Sequence, residues 1–119
     1  MERIFSGGPF EKKVGYARAV VAGGFVHVAG TVGEGESAPL QCRAALEKIR
    51  AALAEAGATL ADVVRVTYYL PDRADFPACW PELRAAFGDA PPAATMIECG
   101  LIEAKYRIEI EVTALAPRK

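Results

Sequence analysis

Two short stretches of the chain carry polar groups at spacings that could do chemistry. Near the C-terminal end, Glu109 and Glu111 alternate with Ile108, Ile110 and Val112. Residues two apart on a strand share a face and lie roughly 7 Å apart, so burying both carboxylates together would hold one of them protonated as a general acid. Taken alone, a glutamate alternating with isoleucine is a solvated strand carboxylate. Near the N-terminal end, Tyr16 and Arg18 are also two apart and point to one face if that stretch is extended. Tyr16 can donate a hydrogen bond to a carbonyl; the plainer reading is a packed ring with its hydroxyl at a rim. The single histidine, His27, alternates with Phe25 and Ala29 and reads as a packed or interface residue rather than a base. Cys42, Cys79 and Cys99 are widely spaced, odd in number and without a nearby histidine, so they read as reduced packing residues. One histidine and no CxxC leave no zinc spacing, and no metal or cofactor is expected. Gly33 and Gly35 form a lone glycine pair, too little for a phosphate loop.

The elements that must position these groups follow from the periodicity. The chain has 119 residues, 52% apolar and 24% charged, with net charge −1. That length and composition suit one globular domain with one core. The charge balance of 14 basic to 15 acidic residues gives no global reason to bind nucleic acid. No apolar run spans a membrane and no secretory leader is expected, so the chain reads as cytoplasmic. Residues 17–22 and 25–30 are apolar runs around Gly23-Gly24, a tight hairpin. Cys42, Leu46, Ile49, Leu53 and Ala56 form one helical stripe, with Ser37 as cap, Pro39 in the first turn and Gly57 after the last. Residues 63–70 are β-branched and aromatic, a strand with Val64, Val66, Tyr68 and Leu70 on one face. A second helix runs from about Asp75 to Phe87 on Phe76, Trp80, Leu83 and Phe87, disturbed by Pro81. Residues 93–99 and 106–114 are two more strands, the last strictly alternating, and residues 3–6 are the candidate for a short first one. Two helices cover one face of a five- or six-stranded sheet and leave the other to solvent or to other subunits. The expectation is an α+β fold that oligomerises through its sheet.

This order, with the stretch from Pro92 to Ile110, resembles the RidA/YjgF family of small homotrimeric proteins. The most specific part is Pro92-Ala93-Ala94-Thr95-Met96-Ile97 through Ile102, then a five-residue spacer, then Ile108-Glu109-Ile110. Gly15-Tyr16 and residues 57–66 also look like the family. The resemblance implies a chorismate-mutase-like homotrimer with a small-molecule ligand in clefts between subunits. Many members hydrolyse reactive enamines and imines to ammonia and a keto acid. In those members an arginine grips the substrate carboxylate, a glutamate of the last strand helps position water, and a tyrosine lines the cleft.

Carried over residue by residue, the match is partial. Tyr16 and Glu109 occupy the tyrosine and glutamate positions, which makes Glu109 the candidate catalytic residue. Glu111 falls to an inter-subunit polar network. The arginine position is Ala94, the cysteine two residues on is Met96, a serine is Ala29, and an asparagine is Trp80. Alanine replaces no part of a bidentate arginine–carboxylate pair, so 2-imino acids lose their anchor. Arg18 is the candidate replacement cation; the plainer reading is an exposed arginine on a hairpin strand. Trp80 and Met96 would make the cleft apolar, although methionine is an ordinary gap-filler and Trp80 lies on the helix stripe. Thr95 offers a hydroxyl beside Ala94. The function expected is an enamine or imine hydrolase outside the usual 2-imino acids, or equally a non-catalytic metabolite-binding or partner-regulating trimer. A ribonuclease is not expected, because the chain lacks a basic cluster and a histidine pair.

Overall fold

Gly23 and Gly24 turn the chain with φ of 60° and 84°, both in the left-handed region a two-residue hairpin needs. The hairpin joins β2 (Ala19–Ala22) to β3 (Phe25–Val32), and β1 (Glu2–Ile4) adds an antiparallel edge to β2. In this computed structural model, which describes residues 1–117, three more strands complete one mixed sheet. They are β4 (Val63–Leu70), β5 (Ala93–Glu98) and β6 (Glu109–Leu115), in the order β1-β2-β3-β6-β4-β5. Only β4 and β5 pair in parallel. A parallel pair needs a crossover, and the helix α2 (Phe76–Phe87) supplies it. The helix α1 (Ala38–Glu55) links β3 to β4 around the inserted β6. The result is the α+β architecture anticipated from the sequence: six strands, with both helices on one face.

Ser37 caps α1 by accepting from the Leu40 amide at 3.3 Å, Pro39 sits in the first turn, and Gly57 follows the helix with φ 79°. Cys42, Leu46, Ile49 and Leu53 are buried against Val26, Val28, Val66, Ile110 and Val112. Each fully buried aliphatic chain contributes about 1.5–3 kcal/mol, which fixes α1 over β3 and β6. Arg43 reaches across to Glu82 of α2 at 2.7 Å rather than down its own helix to Glu47, which pairs with Arg50.

Three sequence expectations change. In α2 the buried set is Cys79, Leu83 and Phe87, while Trp80 lies on the flank of that stripe, 47% exposed, edge-on to Phe76 at 6.1 Å. The helix begins at Phe76, after a single tight turn at Arg73–Asp75 that Asp72 caps, and it carries Pro81 in its interior. In β4 a register shift between Val63 and Arg65 buries Val63 and turns Val64 outward with Arg65. The last strand pairs only from Glu109, although Tyr106 and Ile108 before it are buried. The face away from the helices carries His27, Thr113, Glu111, Glu109, Tyr69 and Thr67 in register, all exposed or half-buried.

Candidate functional site

The N-terminal segment reaches the sheet through a π-helical turn at Glu11–Gly15, where the Tyr16 amide donates to the Glu11 carbonyl at 3.0 Å. Gly15, at φ 92°, releases the chain from that turn, and Tyr16 is extended. Glu11 is buried, 5% exposed. Its carboxylate accepts from the Ser6 amide at 3.0 Å and from the Ser6 hydroxyl, and Arg18 Nε lies 3.7 Å away. Burial opposes the charge on Glu11, but the Ser6 bonds and the Arg18 guanidinium outweigh it and hold the carboxyl below its ordinary pKa.

Arg18 is the hub. Its Nη1 donates to the Gly30 carbonyl at 3.1 Å and to Thr31 Oγ1 at 2.8 Å, and its Nη2 donates to the Tyr16 hydroxyl oxygen at 3.2 Å. The hydroxyl of Thr31, itself buried, donates in turn to the Ala29 carbonyl at 2.8 Å. A guanidinium only donates, so the Tyr16 oxygen must accept from it. The Tyr16 O–H proton is left for another acceptor. The Arg18 carbon also stands 5.5 Å from the Tyr16 ring centroid.

Glu109 completes the arrangement from β6. It is half-buried, beside Val32 of β3 and Tyr69 of β4 in register. Its carboxylate lies against Gly30, where a Cβ would meet Oε2 at 2.0 Å. Gly30 therefore makes the space in which that carboxylate sits. Burial pushes the Glu109 carboxyl above its ordinary pKa, the charge of Glu111 adds to this, and Arg18 pulls it partly back. Tyr16, Arg18, Gly30, Thr31 and Glu109 all line one cleft of about 910 Å³, bordered on its outer side by the N-terminal segment and by Ile102 and Tyr106. The size suits a small organic molecule. On the other side of Gly30 and Glu109 is a recess of about 220 Å³ with Tyr69, Glu111 and Cys99. There the Tyr69 hydroxyl donates to Glu111 at 3.0 Å. The Tyr69 phenol is pushed up by burial and by that carboxylate.

The sequence-derived candidates thus divide. Tyr16, Arg18 and Glu109 meet in the cleft. Arg18 is not an exposed hairpin residue: its side chain is 13% exposed. Ala94, Thr95 and Met96 lie on β5, two strands beyond β6. Ala94 is in register with Val66 and Met96 with Tyr68, which places both on the helix side of the sheet, away from Glu109. Met96 packs against the core, as a gap-filler would. Thr95 is exposed and accepts from Arg65 at 2.7 Å. Trp80 stands on the outer flank of α2. His27 is exposed, its ring 6.2 Å from Phe25, and Cys99 is exposed rather than packed. Among the described residues no group of three His, Cys, Asp or Glu could hold a metal ion.

Four contributors escaped the sequence reading. Gly30 carried a signal, an isolated glycine inside a strand pattern. Glu11, Thr31 and Gln41 carried none, because each acts through partners distant in sequence. Buried Gln41 donates to the carbonyls of Gly35 and Lys105 and accepts from the Arg107 amide at 2.7 Å. It thereby pins the loop that brings Ile102 and Tyr106 to the cleft.

Comparison with known proteins gives the arrangement a family. Residues 9–116 match the family described as endoribonuclease L-PSP. A RutC family protein of Pyrococcus abyssi is 36% identical over 107 residues, covering 83% of this chain and 84% of its own. A crystal structure of a YjgF/YER057c/UK114 family member from Mycobacterium tuberculosis superposes with a TM-score of 0.93 at 42% identity, over 97% of this chain and 98% of that one. A structure described as a putative endoribonuclease of Thermotoga maritima gives 0.84 at 25%, over 99% of this chain and all of that one. With the same six-stranded sheet and the same two helices, this chain belongs to the YjgF/RutC (endoribonuclease L-PSP) family.

Proposed function

We propose that the cleft binds a small reactive enamine or imine and hydrolyses it, and that the usual 2-imino acids are not its substrates. The observation that carries this reading is the Glu109 carboxyl, seated on Gly30 in the same cleft as a Tyr16 hydroxyl with its proton free. A carboxyl whose pKa is raised gives up a proton less readily than an ordinary one and takes one back more readily, so it can serve in both directions. Hydrolysis needs both. As the carboxylate, Glu109 takes a proton from water as the water oxygen adds to the imine carbon, and gives that proton to the imine nitrogen. From the resulting carbinolamine it takes the hydroxyl proton and returns it to nitrogen as the C–N bond breaks, so that ammonia leaves and the carbonyl forms. Tyr16 donates to the developing carbonyl oxygen. No metal or cofactor is called for in this sequence of steps.

The substrate limit follows from Ala94, which stands where the resemblance requires a carboxylate-binding arginine. A homotrimer formed through the open sheet face belongs to the same proposal, since only a second copy could bring another β5 edge to this cleft. A constant monomer mass at micromolar concentrations would remove that part. The cytoplasm is the expected location. No described helix is long and apolar enough to cross a membrane. A phosphodiester fits the cleft poorly, because Glu34, Glu55 and Glu109 line it. Ribonuclease activity in nuclease-free material that disappears in Glu109→Ala would reverse this ranking.

The decisive experiment is ammonia release from imines generated in situ, both 2-iminobutanoate and an uncharged aryl-alkyl imine, with wild type, Glu109→Ala and Ala94→Arg. Wild type is expected to accelerate hydrolysis of the uncharged imine, and Glu109→Ala to lose that acceleration. If wild type leaves both imines at the buffer rate, the alternative reading as a non-catalytic, metabolite-binding or partner-regulating protein takes its place.

A further inference from the structure

The arginine in the cleft is not available in the way its charge suggests. Of the five guanidinium N–H groups, both on Nη1 and one on Nη2 are donated to the protein, and Nε faces Glu11. One Nη2 N–H remains. A bidentate grip on a carboxylate needs two parallel N–H groups, and none are left as a pair. The charge is also compensated, because the Glu11 carboxylate lies behind Arg18, fixed there by Ser6. The other cation lining the cleft is Lys48, which donates to the Val32 carbonyl at 2.9 Å and shares its wall with Glu34 and Glu55.

The outer rim is of a different character. Phe5, Phe10, Val14 and Ile102 line it and are 60%, 40%, 68% and 63% exposed. Four large apolar side chains converging on one cleft are a binding surface for apolar matter. Beneath them the Tyr16 hydroxyl offers a neutral donor.

We propose that Glu11 sets the ligand class of this cleft: by engaging Arg18 inside the protein it withholds the arginine from carboxylates, and leaves a site for an uncharged carbonyl or imine compound with an apolar body. This assignment rests on the proposed small-molecule function of the same cleft, and it names what that function acts on. Arg18 becomes a positioning residue that aims the Tyr16 proton, and Glu11 a specificity-determining one.

The test is binding, so it does not depend on turnover. Two ketones with the same aryl body, phenylacetone and phenylpyruvate, differ in the carboxylate, and 2-oxobutanoate has the carboxylate without the body. Titrations followed by calorimetry and amide NMR are expected to show wild type binding phenylacetone at least tenfold more tightly than either acid, with shifts at Tyr16, Gly30 and the Phe5–Val14 segment. Glu11→Gln keeps an acceptor for Ser6 and removes the counter-charge, so the preference for phenylacetone over phenylpyruvate should fall at least tenfold. Glu11→Asp, with its carboxylate drawn back, should shift it less and serves if the glutamine variant does not fold. Phe10→Ser should weaken phenylacetone several-fold. Equal or tighter binding of phenylpyruvate by wild type overturns the proposal, as does an unchanged ratio in a folded Glu11 variant or phenylacetone shifts remote from the cleft. Phenylacetone preference without ammonia release from any imine would leave this ligand class standing and remove the hydrolase reading; release from the uncharged aryl-alkyl imine with no such preference would do the reverse.

Discussion

The two flanks of β6 treat charge in opposite ways. On the β3 side, Glu11 and Arg18 are withdrawn from water and every contact they make is inside the protein, with Tyr16 and Thr31 as neighbours. On the β4–β5 side, Arg65 and Thr95, and Tyr69 and Glu111, make the same kinds of hydrogen bond in the open. Water competes for the second set and screens it, so those contacts hold little geometry. The first set is costly to assemble and costly to break, and it holds the Tyr16 oxygen against Arg18. The polar groups of the cleft are therefore held precisely where the β5 edge is permissive.

Breaking the buried pair should give the largest effect. Arg18→Met leaves the Glu11 carboxylate without its counter-charge, and urea denaturation should show a loss of about 3–5 kcal/mol. A loss below 1 kcal/mol would mean that the two flanks are alike after all. Next is Gly30→Ala. The new methyl occupies the place of the Glu109 carboxylate, which can swing away on a flexible side chain. The fold should survive with its unfolding midpoint little changed, while cleft activity or affinity falls on the order of 100-fold through misplacement.

The pH dependence separates the two glutamates. Glu11 has a lowered pKa, so the stability it contributes is present above the ordinary carboxylate value of 4.5 and is lost as the pH falls through its folded value. Glu109 has a raised pKa, so its ionisation opposes folding above 4.5. Glu109→Gln should therefore raise Tm modestly at pH 8, with the difference vanishing near pH 4. A lower Tm at pH 8 would contradict a raised Glu109 carboxyl pKa. The smallest effect is expected at the β5 edge, where Thr95→Val should change stability by no more than about 0.5 kcal/mol.

How much of this was legible beforehand depended on how local the signal was. The Gly23-Gly24 hairpin, the α1 stripe with its Ser37 cap, and the alternation around Glu109 are determined within a turn or a few residues, and all three stand in the structure. Pro81 made α2 look doubtful, yet burial of Cys79, Leu83 and Phe87 keeps the helix through it. Trp80 was misplaced because a stripe defined by spacing does not say which of two adjacent apolar residues faces the core. Val64 was misplaced because a register shift is invisible to a period-two pattern.

The sequence by itself determined the elements and the family resemblance, and through that resemblance it singled out Tyr16 and Glu109 as candidates, because periodicity and a contiguous motif are local. Tertiary structure alone decided the state of those groups. The Glu109 carboxyl pKa is raised because burial in the seat Gly30 leaves, and the charge of Glu111, disfavour its ionisation, and the Arg18 guanidinium is engaged inside the protein because Glu11 folds in behind it. Burial and pairing belong to places in space, and residues 11, 18, 30 and 109 become neighbours only when β3 and β6 pair and the N-terminal segment closes over their ends.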